Sequence, residues 1–100
     1  MKMKNSALLD AFMNGTGIDN ENHSGNLMVD KYNMLLNYGH IIALFYEGNL
    51  VLNITNYSPT TSKHQNYIFN NFPKDKIIEV TKNEMIDYAQ KVIEEYWSRA

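Results

Sequence analysis

The chain contains no cysteine among its 100 residues, so disulfide bonds and thiolate metal sites are excluded. The three histidines have no metal-ligand spacing, and no metal site is expected. There is also no apolar run near the roughly 20 residues that a helix needs to cross a bilayer. The lysines near the start precede an apolar stretch that Asp10 interrupts, so no signal peptide is predicted. We therefore expect a cytoplasmic protein without membrane contact.

An excess of charge of one sign is missing as well. Nine Lys and Arg residues face eleven Asp and Glu residues, and the formal net charge is −2. Such a chain has no long-range attraction to nucleic acid or to an acidic membrane. The hydrophobic share of 44% is that of an ordinary globular protein, and the length suits one domain with its own core.

The first quarter of the chain is less regular than the rest. Asn5 to Met13 predicts a short helix with an apolar face. Residues 14–26 hold three glycines and four asparagines, which is typical of a mobile loop. We therefore divide the chain into residues 1–25, a short N-terminal helix with a mobile loop, and residues 26–100, an α+β domain. Whether the front helix packs on this domain or on another chain is left open.

Four short β-favouring segments follow, at residues 26–30, 34–39, 40–47 and 50–55. The Glu-Gly-Asn sequence at 47–49 is a tight hairpin signal. Short strands joined by tight turns are typical of an antiparallel meander. Alternation in the last segment predicts that Leu50, Leu52 and Ile54 face the core.

The stretch "YSPTTSKHQNY", residues 57–67, combines four hydroxyl side chains (two Ser and two Thr) with a lysine and a histidine. Ser58 is a good N-cap and Pro59 suits the first helical turn, so a helix is predicted from Pro59 to about residue 71. Helical spacing gives an inner side of Thr61, Gln65, Ile68 and Phe72, an outer side of Lys63, Asn66 and Asn70, and flanks of His64 and Tyr67.

The last third predicts a strand and a long helix. Lys76 to Val80 is the fifth strand, and the T-x-x-E spacing of Thr81 and Glu84 is a capping box that begins a helix running to about Ser98. The helix residues predicted to lie against the sheet are Ile86, Ala89, Val92, Ile93 and Tyr96. The predicted fold is α+β, in the order α-β-β-β-β-α-β-α: an antiparallel meander of about five strands with two to three helices on one face.

Catalytic motifs are missing from the sequence. No G-x-S-x-G elbow, P-loop or paired carboxylates are present, and side chains two apart on a helix diverge, which separates Ser62 from His64. We predict no catalytic residues and no cofactor. A nucleic-acid surface has more support, because tyrosines stack on bases and a helix N-terminus beside Lys63 binds phosphate.

One part of the chain resembles a known kind of domain. "GNLMV", "LNYGHIIALF" and "LNITNYSPTTSKHQN", over roughly residues 25 to 67, resemble a small domain that recurs in bacteriophage and prophage proteins of unknown function. The most specific part is the Tyr-Ser-x-Thr-Thr-Ser-Lys-His-Gln block from Tyr57 to Gln65. The resemblance implies a phage setting and, with it, the cytoplasm of a host bacterial cell.

Small, mildly acidic phage proteins without cysteine include many inhibitors of host defence, above all anti-CRISPR proteins. Tyr and Asn side chains also suit a protein interface. The leading hypothesis is therefore a phage-encoded protein that binds and inhibits a host defence complex, such as the CRISPR effector Cas9. A phage accessory protein that binds nucleic acid is the alternative, a small enzyme comes third, and a homodimer is left open. The predicted partner-binding residues are Tyr57, Lys63, His64, Asn66 and Tyr67.

Overall fold

Seven strands form one sheet whose spatial order follows the chain, in a computed structural model that describes residues 1–99. The strands are β1 (Lys2–Met3), β2 (Glu21–Asn22), β3 (Leu27–Val29), β4 (Leu35–Asn37), β5 (His40–Tyr46), β6 (Asn49–Asn53) and β7 (Ile77–Val80). The helices are α1 (Asn5–Met13), α2 (Pro59–Asn71) and α3 (Lys82–Ser98), and a short 3₁₀ turn (Lys74–Lys76) precedes β7.

The predicted α+β class is confirmed, but the count of about five strands is wrong. The two additional strands are β1 and β2, which have two residues each and pair in parallel. A two-residue strand carries no alternating pattern, so its position depends on a distant pairing that sequence periodicity does not reveal. Lys2 and Glu21 lie opposite each other there, with Nζ and Oε1 3.3 Å apart.

The sheet is mixed rather than purely antiparallel. Consecutive strands from β2 to β6 are antiparallel, as the predicted meander requires, whereas β7 lies parallel to β6. The reason is the connection between them: α2 carries the chain back along the sheet before β7 begins.

Helices cover both faces of the sheet, so the predicted packing on a single face is wrong. Leu50 and Leu52 of β6 belong to a buried cluster with side chains of α1 and α2, whereas Val51 belongs to a second cluster with side chains of α3. Since successive strand residues point to opposite faces, α3 lies on the face opposite α1 and α2. Ile54, predicted to face the core, follows the end of β6 and is 53% exposed.

The front helix packs on its own sheet. Leu8, Leu9 and Phe12 of α1 are buried in the same cluster as Ile68 of α2. The mobility predicted for residues 14–25 stays a prediction.

Both predicted helix starts are confirmed. The Ser58 hydroxyl oxygen accepts the N–H of Thr61 at 3.2 Å, and Pro59 is the first residue of α2. At α3, the Glu84 carboxylate accepts the N–H of Thr81 at 3.0 Å. This hydrogen bond holds the pKa of the Glu84 carboxyl below its ordinary value.

Candidate functional site

The candidate site lies at the end of the sheet formed by the carboxyl ends of β6 and β7. Because these strands are parallel, their carboxyl ends lie side by side at the same end of the sheet. The helices α2 and α3 begin there, on opposite faces. The antiparallel β5 begins at the same end, which places the β4–β5 turn beside the start of α2. In open parallel sheets, ligands usually bind in the crevice outside the carboxyl ends of the strands. Here β6 and β7 form such a parallel pair, whereas β5 is antiparallel to β6.

Tyr57 is held rigidly at this end of the sheet. Its ring stacks on His40 of β5, with centroids 4.2 Å apart and planes 20° apart. Its hydroxyl oxygen accepts a hydrogen bond of 2.9 Å from the buried Asn53 side chain. A cavity of about 410 Å³ beside it is lined by aromatic rings and hydroxyl groups, among them Tyr38 and Ser58. This cavity offers a flat apolar wall and hydrogen-bonding groups.

Several polar side chains of the 57–67 stretch attach α2 to the sheet. The buried Thr61 hydroxyl donates to Asn37 Oδ1 at 2.6 Å, and the Asn37 amide donates to the Asn26 carbonyl at 2.9 Å. Gln65 Nε2 donates to the backbone carbonyls of Asn53 and Thr55, at 2.7 and 3.0 Å. The predicted inward positions of Thr61 and Gln65 are confirmed, and the Thr61 hydroxyl and the Gln65 Nε2 have hydrogen-bond partners within the fold.

Three of the five predicted partner-binding residues share the outer part of α2. Lys63 and Asn66 are exposed, as their spacing predicts, and Tyr67 is half-buried four residues after Lys63. The Tyr67 hydroxyl donates to Asp10 of α1 at 2.8 Å, and this bond to a carboxylate raises the pKa of Tyr67. Tyr57 precedes the helix and contacts His40 instead, so the five residues do not form one patch.

His64 turns inward rather than lying on the flank of α2. It is only 6% exposed, and its Nε2 has no hydrogen-bond partner among the described residues. Burial, and then the positive charge of Lys63, lower the pKa of His64 from its ordinary value of 6.5. Its imidazole is therefore not presented on the surface of this fold.

The free energy of unfolding is expected to fall as the pH drops below about 6.5, because the unfolded chain then binds a proton that buried His64 resists. The stabilisation that neutral His64 contributes is fully present above about pH 6.5. It is lost as the pH falls from there to the lowered pKa of His64 in the folded state. Urea unfolding at pH 7.5 and 5.5 measures the difference. The control is His64→Gln, which should show a smaller fall; an equal fall in both proteins would contradict the assignment to His64.

A second group of side chains was not predicted as a site; three of its members are exposed and the fourth, Tyr32, is half-buried. We call Lys31, Tyr32, Tyr96 and Trp97 the aromatic cluster. Trp97 Nε1 donates to the Tyr32 hydroxyl at 3.0 Å, and the rings of Tyr32 and Tyr96 meet edge to face at 5.0 Å. Lys31 Nζ lies 4.9 Å from the Trp97 ring centroid, a cation–π distance. Tyr96 and Trp97 are 43% and 55% exposed.

The exposed position of this cluster follows from the length of α3. Its 17 residues span about 25 Å, and the buried and half-buried side chains that face the sheet end at Ile93, so Tyr96 and Trp97 lie past them. Tyr96, predicted to lie against the sheet, is exposed near the end of the helix for this reason. Ile86, predicted to lie there too, is exposed because it is turned away from the sheet, since Met85 beside it and Ala89 one turn later are buried.

Over residues 1–99, no group of three or more His, Asp or Glu side chains is placed to hold a metal ion. Among the helices described, none combines the length and the apolar character that a membrane span requires.

Comparison with known proteins identifies a family. The model of the "Family of unknown function (DUF8033)" matches residues 3–87. No curated protein and no solved structure matches the chain. The match covers α1, the sheet from Met3 onward and the whole of α2, and it ends in the second turn of α3, before Tyr96 and Trp97. The expected likeness to a small domain of unknown function is confirmed: the chain belongs to the family of unknown function DUF8033.

Proposed function

We propose that this chain is a phage-encoded protein that binds and inhibits a host defence complex, such as a CRISPR effector, in the cytoplasm of the host cell. The observation that supports a binding role is the aromatic cluster, in which Tyr96 and Trp97 are exposed although they are large and apolar. Exposed apolar patches of this kind mark sites of interaction with a protein, a membrane or a ligand.

The cluster has the properties of an interface centre. Trp, Tyr and Arg are the residue types that dominate measured binding energies. The Trp97 indole is already held by the Tyr32 hydroxyl and by the edge of Tyr96, so little side-chain freedom remains to be lost on binding. Lys31 adds a positive charge over the indole ring. A partner that fits would offer an apolar pocket for the indole with an acidic group at its rim.

The outer side of α2 is proposed as a second contact. Lys63 and Asn66 are exposed there, and Tyr67 lies next to Lys63. Nucleic-acid binding is the alternative with less support. The groups on which it depends are occupied within the chain, since Ser58 caps α2 and the Tyr57 hydroxyl accepts from Asn53.

Trp97→Ala is expected to weaken capture of the target by at least tenfold, because the change removes the centre of the cluster. The melting temperature should change by no more than a few degrees, since the side chain is more than half exposed. The measurement is a pull-down from host lysate with the tagged protein, followed by titration into a cleavage assay of the nuclease that is captured.

The matched control is Ile86→Ala, an exposed apolar residue at the other end of the same helix. It should leave capture and inhibition unchanged. Equal inhibition by Trp97→Ala and the unmodified protein would rule out the aromatic cluster as the binding site. Failure to capture any defence complex, with DNA or RNA bound instead in a salt-dependent manner, would favour the nucleic-acid alternative.

A further inference from the structure

The last strand of the sheet has an open edge. Over the described residues β7 pairs with β6 alone, and the sheet order ends at β7. The Val80 carbonyl accepts the N–H of Ile54 at 2.8 Å, so the backbone of Val80 faces β6. Backbone groups of neighbouring strand residues point to opposite sides, which turns those of Ile77 and Glu79 outward. The Ile77 N–H donates to the backbone carbonyl of Lys74. Three outward backbone groups remain: the Ile77 carbonyl, the Glu79 N–H and the Glu79 carbonyl.

A groove lies beside this edge, over the carboxyl ends of β6 and β7 and against α2. It has a volume of about 390 Å³, within the range of about 300 to 1,000 Å³ found for ligand pockets. Leu52, Ile54 and Phe69 provide apolar walls, and Ser62 and Asn66 of α2 provide polar groups. Glu79 is the one charged side chain among the lining residues.

We propose that this groove binds an extended peptide segment of a partner protein, which adds to β7 as an eighth strand. Main-chain hydrogen bonds to Glu79 and Ile77 supply the pairing, as in other cases where a peptide extends a sheet edge. An aliphatic side chain of the peptide fills the space between Ile54 and Phe69. Because alternate strand residues share a face, the residue two positions away lies near Glu79.

Charge determines what that second residue is. Glu79 is exposed and takes part in neither of the two ion pairs found over residues 1–99, Lys2–Glu21 and Glu95–Arg99. A lysine or arginine of the peptide would pair with this carboxylate at the rim of the groove. The ligand is therefore an extended segment with an aliphatic residue and a basic residue two apart.

A second copy of this chain fits the edge less well. Antiparallel pairing of two β7 strands must place outward residues opposite outward residues, which leaves four registers, one centred on each residue of the strand. A centre at Ile77 puts Asp75 opposite Glu79, and a centre at Glu79 puts two Glu79 side chains together, so both oppose like charges. A centre at Ile78 puts each Glu79 carboxylate against an Ile77 side chain, and a centre at Val80 puts it against Thr81. None of these registers gives Glu79 a cation.

The test uses the full-length chain and an array of blocked peptides of the form Thr-Thr-X-Thr-Z-Thr-Thr, in which X and Z each run through the natural amino acids. Binding is expected to concentrate where one varied position is Val, Ile or Leu and the other is Lys or Arg. Such peptides should bind at least tenfold better than those with Glu in place of the basic residue. N-methylation of the X, central threonine and Z amides together should abolish binding, because it removes every main-chain donor there that faces β7 in either strand direction.

Glu79→Lys should move the preference from basic to acidic residues at the same aliphatic position. Glu94→Lys makes the same charge change on an exposed position of α3 and should leave the preference unchanged. Backbone amide NMR shifts at Ile77 and Glu79 locate the bound peptide. No peptide above the all-threonine background, or an unchanged preference in Glu79→Lys, would overturn the proposal. Shifts at Glu79 that grow with protein concentration alone would replace it with self-association.

This inference does not rest on the proposed function. The groove lies on the α2 face of the sheet, whereas Tyr96 and Trp97 belong to α3 on the other face. Asn66 belongs both to the groove and to the second contact proposed on α2, so Trp97→Ala is the variant that separates the two proposals. It should bind the selected peptides as well as the unmodified protein does while losing capture of the defence complex. The two proposals can fail separately.

Discussion

Phe12→Ala is expected to lower the free energy of unfolding by about 3 to 5 kcal/mol. The Phe12 ring is fully buried, 5.2 Å from the ring of Phe45 in β5, which is itself 5.8 Å from that of Phe72 at the end of α2. Truncation leaves a cavity among three elements that cannot all move to fill it. Urea unfolding followed by circular dichroism measures the loss.

The matched control is Ser6→Ala, an exposed position on the same helix that should change the free energy of unfolding by no more than about 0.5 kcal/mol. A loss below about 1 kcal/mol for Phe12→Ala would mean that α1 detaches in solution. In that event the front helix would be available to another chain, the placement that the sequence left open.

Asn37→Ala is expected to cost about 2 to 5 kcal/mol, a large effect for the removal of one amide group. Asn37 is fully buried, accepts the Thr61 hydroxyl and donates to the Asn26 carbonyl. Its loss leaves a buried hydroxyl and a carbonyl without partners, in surroundings where neither finds water easily.

The double variant Asn37→Ala with Thr61→Val tests this explanation. Valine removes the hydroxyl that the first change leaves unpaired. The double variant should therefore lose less free energy of unfolding than the sum of the two single-variant losses, by about 0.5 to 3 kcal/mol. The same unfolding experiment on four proteins completes the cycle. Strict additivity would show that the 2.6 Å hydrogen bond contributes no coupling between α2 and β4.

Features set by neighbouring residues were predictable from the sequence. Ser58, Pro59 and the pair Thr81 and Glu84 act within one helical turn, and they locate the starts of α2 and α3 correctly. Features set by distant contacts were not predictable in this way. The strands β1 and β2 exist because residues about 19 positions apart pair with each other. Helices lie on both faces because α2 crosses one face to reach the parallel strand β7, and α3 then crosses the other face. No local sequence pattern predicts this arrangement.

The candidate site divides in the same manner. Lys63 and Asn66 are exposed where helical spacing puts them. His64 was misplaced because α2 packs against α1 as well as the sheet, which widens its buried side beyond a single stripe. The aromatic cluster joins Tyr32 and Trp97, which are 65 positions apart. Strand alternation and helical periodicity predict which side of its own element each residue lies on. They do not predict which distant residues contact each other.

A sheet whose spatial order repeats its chain order also has consequences for the speed of folding. Each hairpin from β2 to β6 closes a short loop, so the middle of the sheet can assemble early and rapidly. The contacts that span the chain, such as Asp10 with Tyr67 and Tyr32 with Trp97, must close much longer loops. We expect them to form after the transition state, so that substitutions there speed unfolding while leaving the folding rate nearly constant. The docking of α1 and the end of α3 would then determine how long the native state lasts, and the central hairpins how quickly it is reached.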